Sequence, residues 1–101
     1  MTVGSVIDEI IHRIFGPSPM TPVDVAALLD SKVELKGEDL DWRNSIVDLM
    51  KAIDMDSSRK NRTKLAKELG YDGNTKDSAH MNNWLHDVVL TRLTEHGGQF
   101  E

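Results

Sequence analysis

The chain has 101 residues, a net charge of −5 and no cysteine. That length suits one domain, which buries roughly 65% of its unfolded surface and needs no covalent staple. Without cysteine there is no disulfide, thiol nucleophile or thiolate zinc site, and the acidic balance gives no general drive toward nucleic acid or anionic membrane.

Val3, Val6, Ile7, Ile10, Ile11, Ile14 and Phe15 recur at helical spacing, with Asp8, Glu9, His12 and Arg13 on the other face. They predict an amphipathic helix within residues 1–15, capped by Gly4 or Ser5. Three prolines, Pro17, Pro19 and Pro22, then break the chain and favour an extended connector over 16–22. Thr21 before Pro22 reads as a helix start, a hydroxyl cap followed by proline at the first helical position. The second helix is expected from about Pro22 to Val33, with Val25, Ala26, Leu28 and Leu29 inward and Lys36-Gly37 ending it. Asp39 or Asp41 can cap a third helix, about Trp42 to Ile53, whose inner face is Trp42, Ile46, Leu49, Met50 and Ile53. Ser57 or Ser58 caps a fourth, about Arg59 to Leu69, which Gly70 stops. Tyr71-Asp72-Gly73-Asn74 is turn chemistry. Asp77 or Ser78 opens the longest helix, to about His96, closed by Gly97-Gly98, with Met81, Trp84, Leu85, Val88, Val89 and Leu93 on its apolar face. No window alternates like a strand. The expected fold is all-α: a compact bundle of about five helices over 23–101, the N-terminal helix joined by the Pro-rich segment.

Several blocks carry a family resemblance. They are Leu40-Asp41-Trp42-Arg43, Ser45-Ile46-Val47-Asp48-Leu49-Met50-Lys51, Asp56-Ser57-Ser58, Leu65-Ala66-Lys67-Glu68-Leu69-Gly70-Tyr71, Asp77-Ser78-Ala79, Met81-Asn82, Trp84-Leu85-His86 and Gly97-Gly98. In this order, over about residues 21–98, they resemble an uncharacterised bacterial family, the domain-of-unknown-function family 3597. Ile14-Phe15-Gly16 is similar to the end of that family's short N-terminal helix, which a longer Ala/Pro-rich linker usually follows. The resemblance implies a compact helical domain and supplies no activity, cofactor or partner.

Asn82 and His86 are the best candidates for chemistry. Four residues apart on one helix, their side chains can meet, and both fall on its apolar side, where an unpaired polar group costs a few kcal/mol. They read either as a ligand or proton-transfer site, with Trp84 lining a cleft, or as a structural polar pair that fixes helix docking. No local motif places a nucleophile beside His86. The four histidines, His12, His80, His86 and His96, show no metal-binding pair. The loops starting at Asp54 and Asp72 lack the acidic twelfth position of a calcium loop, holding Leu65 and Asn83 there.

Residues 59–67 hold Arg59, Lys60, Arg62, Lys64 and Lys67 and no acid, whereas residues 21–56 hold nine acids and four bases. Lys60, Lys64 and Lys67 share an outer face and form a candidate anion-binding surface; bases in a first helical turn oppose the macrodipole. Arg62 lies beside Leu65 and Leu69, so its stem is expected inward and its guanidinium on a carboxylate such as Asp48. The stretch from Leu65 to Leu85 has too long a turn for a helix-turn-helix, and its last helix is poor in base. The N-terminal helix offers Ile7, Ile10, Ile11 and Ile14 as a face for a partner protein or for its own core.

With no converging acid, base and nucleophile, the expected function is a non-enzymatic protein-interaction module without cofactor or metal. The alternatives are a small-ligand or cell-envelope-polymer binding domain with a cleft near His86, and anion or nucleic-acid binding through the basic helix 59–67. Neither a basic leader nor an apolar run of about 18 residues is visible, so the expected location is the cytoplasm.

Overall fold

The computed structural model describes residues 5–16 and 23–99. Val3, Gly4, Thr21 and the connector's Pro17, Pro19 and Pro22 lie outside them. The order of elements is α1 Val6–Phe15, β1 Val23–Asp24, α2 Val25–Lys36, α3 Ile46–Ala52, α4 Arg59–Glu68, α5 Ser78–Glu95 and β2 Gly98–Gln99. The domain is an all-α bundle with a radius of gyration of 13.1 Å, the value expected for a compact chain of about 100 residues.

Every helix starts on a side chain that accepts an otherwise orphaned amide. Ser5 takes Asp8 N, Asp24 takes Ala27 N, Ser45 takes Asp48 N, Ser58 takes Asn61 N and Asp77 takes His80 N. Two starts differ from the sequence reading. Asp24, not Thr21, caps α2, because Val23–Asp24 is drawn into an extended parallel pair with the chain's end, in register Val23 with Gly98 and Asp24 with Gln99. The helix therefore begins at Val25 and runs on to Lys36. Local alternation could not reveal this pair, which is two residues long and joins distant segments.

The third helix starts at Ile46, not Trp42. Residues 41–45 form a turn, with Asn44 N and Ser45 N donating to the Asp41 carbonyl at 3.2 and 3.0 Å. The Asp48 carboxylate accepts the Asp41 amide at 2.8 Å and holds the turn against α3. Trp42 still reaches the core, from a turn rather than a helix.

Behind α3, Asp54 adopts a left-handed backbone with φ 62°. Met55 N then reaches back to the Met50 carbonyl at 2.9 Å, and Met55 is buried in the segment between α3 and α4. The end of α4 repeats this closure, with Gly70 at φ 91° and Tyr71 N on the Ala66 carbonyl at 2.9 Å. A left-handed residue followed by this backward bond satisfies last-turn carbonyls. Glycine does it without a Cβ clash; at Asp54 an ion pair to Lys36 anchors the side chain.

One core joins the five helices of the described residues. Ile10, Val25, Leu29, Leu49, Met50, Leu65, Met81, Leu85, Val89 and Leu93 are fully buried in it. The N-terminal helix belongs to this core: Val6, Ile10, Ile14 and Phe15 are buried. Phe15 meets the His96 ring edge-on at 4.7 Å, and Arg13 donates to the Ile53 carbonyl at 3.1 Å.

Candidate functional site

His86 is 7% exposed and is the one buried polar residue among the described residues. Its Nε2 lies 2.7 Å from the Trp42 carbonyl oxygen. A carbonyl only accepts, so Nε2 carries the proton in this bond. The imidazole thus ties α5 to the turn before α3.

The expected pairing of Asn82 with His86 is not the one formed. Asn82 Oδ1 accepts instead from the Arg62 guanidinium of α4, and Arg62 Nε donates to the Ser57 carbonyl at 3.1 Å. Spacing of four allowed the two side chains to meet, but each found a partner on another element. For Asn82 that partner is charged, which makes the stronger bond. Asp48 is not the acceptor for Arg62, because it is turned toward the Asp41 amide. Partial burial, and to a lesser degree nearby Arg59, pull the Arg62 guanidinium below its ordinary value.

Trp84 stands apart from both, packed on Tyr71 with ring centroids 4.9 Å apart. The Tyr71 hydroxyl is buried and has no hydrogen-bond partner among the described residues, and it sits where a side chain on Gly73 would fall, 2.5 Å from its Cβ position. Asn82, His86 and Trp84 therefore face three different neighbours. None of them lines any of the three grooves described below.

A polar network that sequence reading missed surrounds Trp42. Its indole Nε1 donates to Asp30 Oδ1 at 2.9 Å. Arg43 grips the same carboxylate through two nitrogens at 2.9 and 3.0 Å, and its guanidinium lies 4.3 Å over the Trp42 ring. The Arg43 bond, then the Trp42 bond, hold the Asp30 carboxyl below the usual range. The adjacency of Trp42 and Arg43 was the visible signal; Asp30, on another helix, had none.

Lys60, Lys64 and Lys67 are all exposed on α4. The frustration expected at its first turn is relieved at Arg59, whose guanidinium donates to the Thr75 and Lys76 carbonyls at 3.4 and 3.2 Å. Of the proposed partner face, Ile10 and Ile14 are core residues, while Ile7 and Ile11 are half-buried. The structure thus divides that face in two.

Ile7 and Ile11, with Asp8, Arg92, Glu95 and His96, line a groove of about 230 Å³ between α1 and α5. It shares Arg92 and Glu95 with a second groove of about 430 Å³, which runs along α5 past Thr91, Val88 and Asp87. A third, of about 170 Å³, lies between α2 and α3 beside Leu35, which is 87% exposed. All three are open at the surface. Among the described residues no group of three or more histidines and carboxylates could hold a metal, and no helix is long and apolar enough to cross a membrane.

Comparison with known proteins agrees with this architecture. The solution structure of a conserved unknown protein from Rhodopseudomonas palustris is 42% identical, superposes with a TM-score of 0.77, and covers 96% of this chain and 95% of its own. No curated protein matches the chain. A family described as a domain of unknown function (DUF3597) matches residues 6–101, and the chain belongs to that family.

Proposed function

We propose that this domain is a non-enzymatic protein-interaction module that works in the cytoplasm. The observation that carries the reading is the bond from the buried His86 to the Trp42 carbonyl. The imidazole best placed for proton transfer holds two elements together instead of facing a cavity. Arg62 and Asn82 are occupied in the same way, and so are Asp30 and Arg43. Enzymes and small-ligand sites bury their substrate in concave pockets with convergent polar groups. The grooves here are open and lie away from His86, which favours contact with another macromolecule. The cysteine-free composition suits a reducing compartment.

The test uses the full chain as bait in bacterial cytosol, followed by reconstitution with each captured protein in purified form. The expected result is one protein that forms a complex of defined stoichiometry. Turnover of a metabolite by the purified chain, abolished by His86→Gln in a folded variant, would overturn the reading. So would failure of every captured protein to rebind.

A further inference from the structure

We infer that the groove between α1 and α5, together with the groove along α5 that shares Arg92 and Glu95 with it, docks a basic amphipathic helix of another protein. This names the surface used under the interaction-module reading and rests on it. Ile7 and Ile11, at helical spacing on α1, supply the apolar lining of the first groove, and Val88 that of the groove along α5, which meets it at Arg92 and Glu95. All three are half-buried, so part of each side chain is left for a partner. From Asp87 to Glu95 the grooves follow nine residues of helix, about 14 Å at the usual rise. That length matches two to three turns of a partner helix laid along it, which would place apolar anchors three to four residues apart.

Charge selects the partner's sign. Asp8, Asp87 and Glu95 stand along the groove against one cation, Arg92. Among the described residues their three carboxylates and the Arg92 guanidinium make no hydrogen bond or ion pair. These side chains are therefore available to a partner. A partner carrying Lys or Arg beside its apolar stripe gains complementary charge here, while an acidic helix or a nucleic-acid strand is repelled. The chain's net charge of −5 adds to that steering.

The test titrates the full chain with three synthetic peptides of equal length, followed by two-dimensional NMR. One is a Leu/Lys helix with a single apolar face, the second its Leu/Glu counterpart, and the third a scrambled Leu/Lys peptide with no face. The Leu/Lys helix is expected to shift the amide signals of Ile7, Ile11, Val88 and Thr91, and to bind at least tenfold more tightly than either other peptide. The double variant D87K/E95K is expected to weaken it at least tenfold. Because both side chains are exposed and unbonded, signals outside the groove should stay in place and report that the variant is folded. Shifts centred on Leu35 or on α4 would overturn the inference. So would equal binding of the scrambled peptide, or an affinity that D87K/E95K leaves unchanged. A reconstituted native partner that still binds D87K/E95K would also overturn it while leaving the interaction-module reading intact.

Discussion

The carboxylate of Glu68, at the last residue of α4, closes on the amide of Val6, at the first residue of α1, with oxygens at 2.9 and 3.1 Å. It also accepts from Ile7 N at 3.3 Å and from the Ser5 hydroxyl at 3.1 Å. An anion at a helix N-terminus satisfies orphaned amides and meets the positive end of the macrodipole. One side chain therefore caps α1 from across the fold and fixes where that helix starts against α4.

Glu68→Ala should loosen α1 selectively. The expected cost is about 1–2 kcal/mol, the scale of a lost cap. Hydrogen exchange should quicken at Val6, Ile7 and Asp8 while the amides of Leu85 and Val89 keep their relative protection. Uniform acceleration across the core would mean that α1 does not open as a separate unit.

His86→Ala should leave a cavity and remove the bond to the Trp42 carbonyl, costing about 2–4 kcal/mol. His86→Gln retains an N–H donor and should recover part of that loss. Urea unfolding of the three proteins gives the order directly. An alanine variant as stable as the native chain would show that the joint between α5 and the 41–45 turn carries no load.

Asp30 should contribute to the acid limb of stability. Its folded value lies below the usual carboxylate value of about 3.9 because Arg43 and Trp42 donate to it. The unfolded chain therefore takes the proton first as pH falls. The contribution is complete above the unfolded value and is lost as pH drops through the folded one. Urea midpoints measured between pH 6 and 3 should fall less steeply for Asp30→Asn. Asp54 and Asp56 supply a remaining slope, held down by the Lys36 bond and by the Ser58 amide respectively. An identical slope in the variant would contradict the network drawn around Trp42.

Gly98→Ala should weaken the closure of the chain's end. A methyl there would lie 2.7 Å from the Leu93 carbonyl oxygen and 2.8 Å from Val25 Cγ2. Neither neighbour can swing away, since one is backbone and the other a buried β-branched side chain. Overpacking of this kind costs about 1–3 kcal/mol, to be read as a lower melting temperature and earlier exchange at Val25 and Ala26. A variant that melts with the native chain would show that β2 is not held against α2.

Helix number, most helix ends and nearly all core positions were legible in the sequence because they depend on local chemistry. Apolar spacing placed Ile10, Ile46, Leu49, Met81, Leu85 and Leu93 inward, and Ser5, Ser58 and Asp77 were visible as caps. An inward imidazole at His86 also followed from its place on the helical wheel. Partners are a different matter, since a side chain's bond depends on what another element brings within 3 Å. Only the tertiary structure could turn His86 to Trp42, Asn82 to Arg62 and Asp48 to Asp41. The same reason explains Asp24 as a cap, which follows from pairing with Gly98–Gln99 some seventy residues away. It also explains the N-terminal helix: periodicity gave it an apolar face, but the fold decided that Ile10 and Ile14 face inward while Ile7 and Ile11 border a groove.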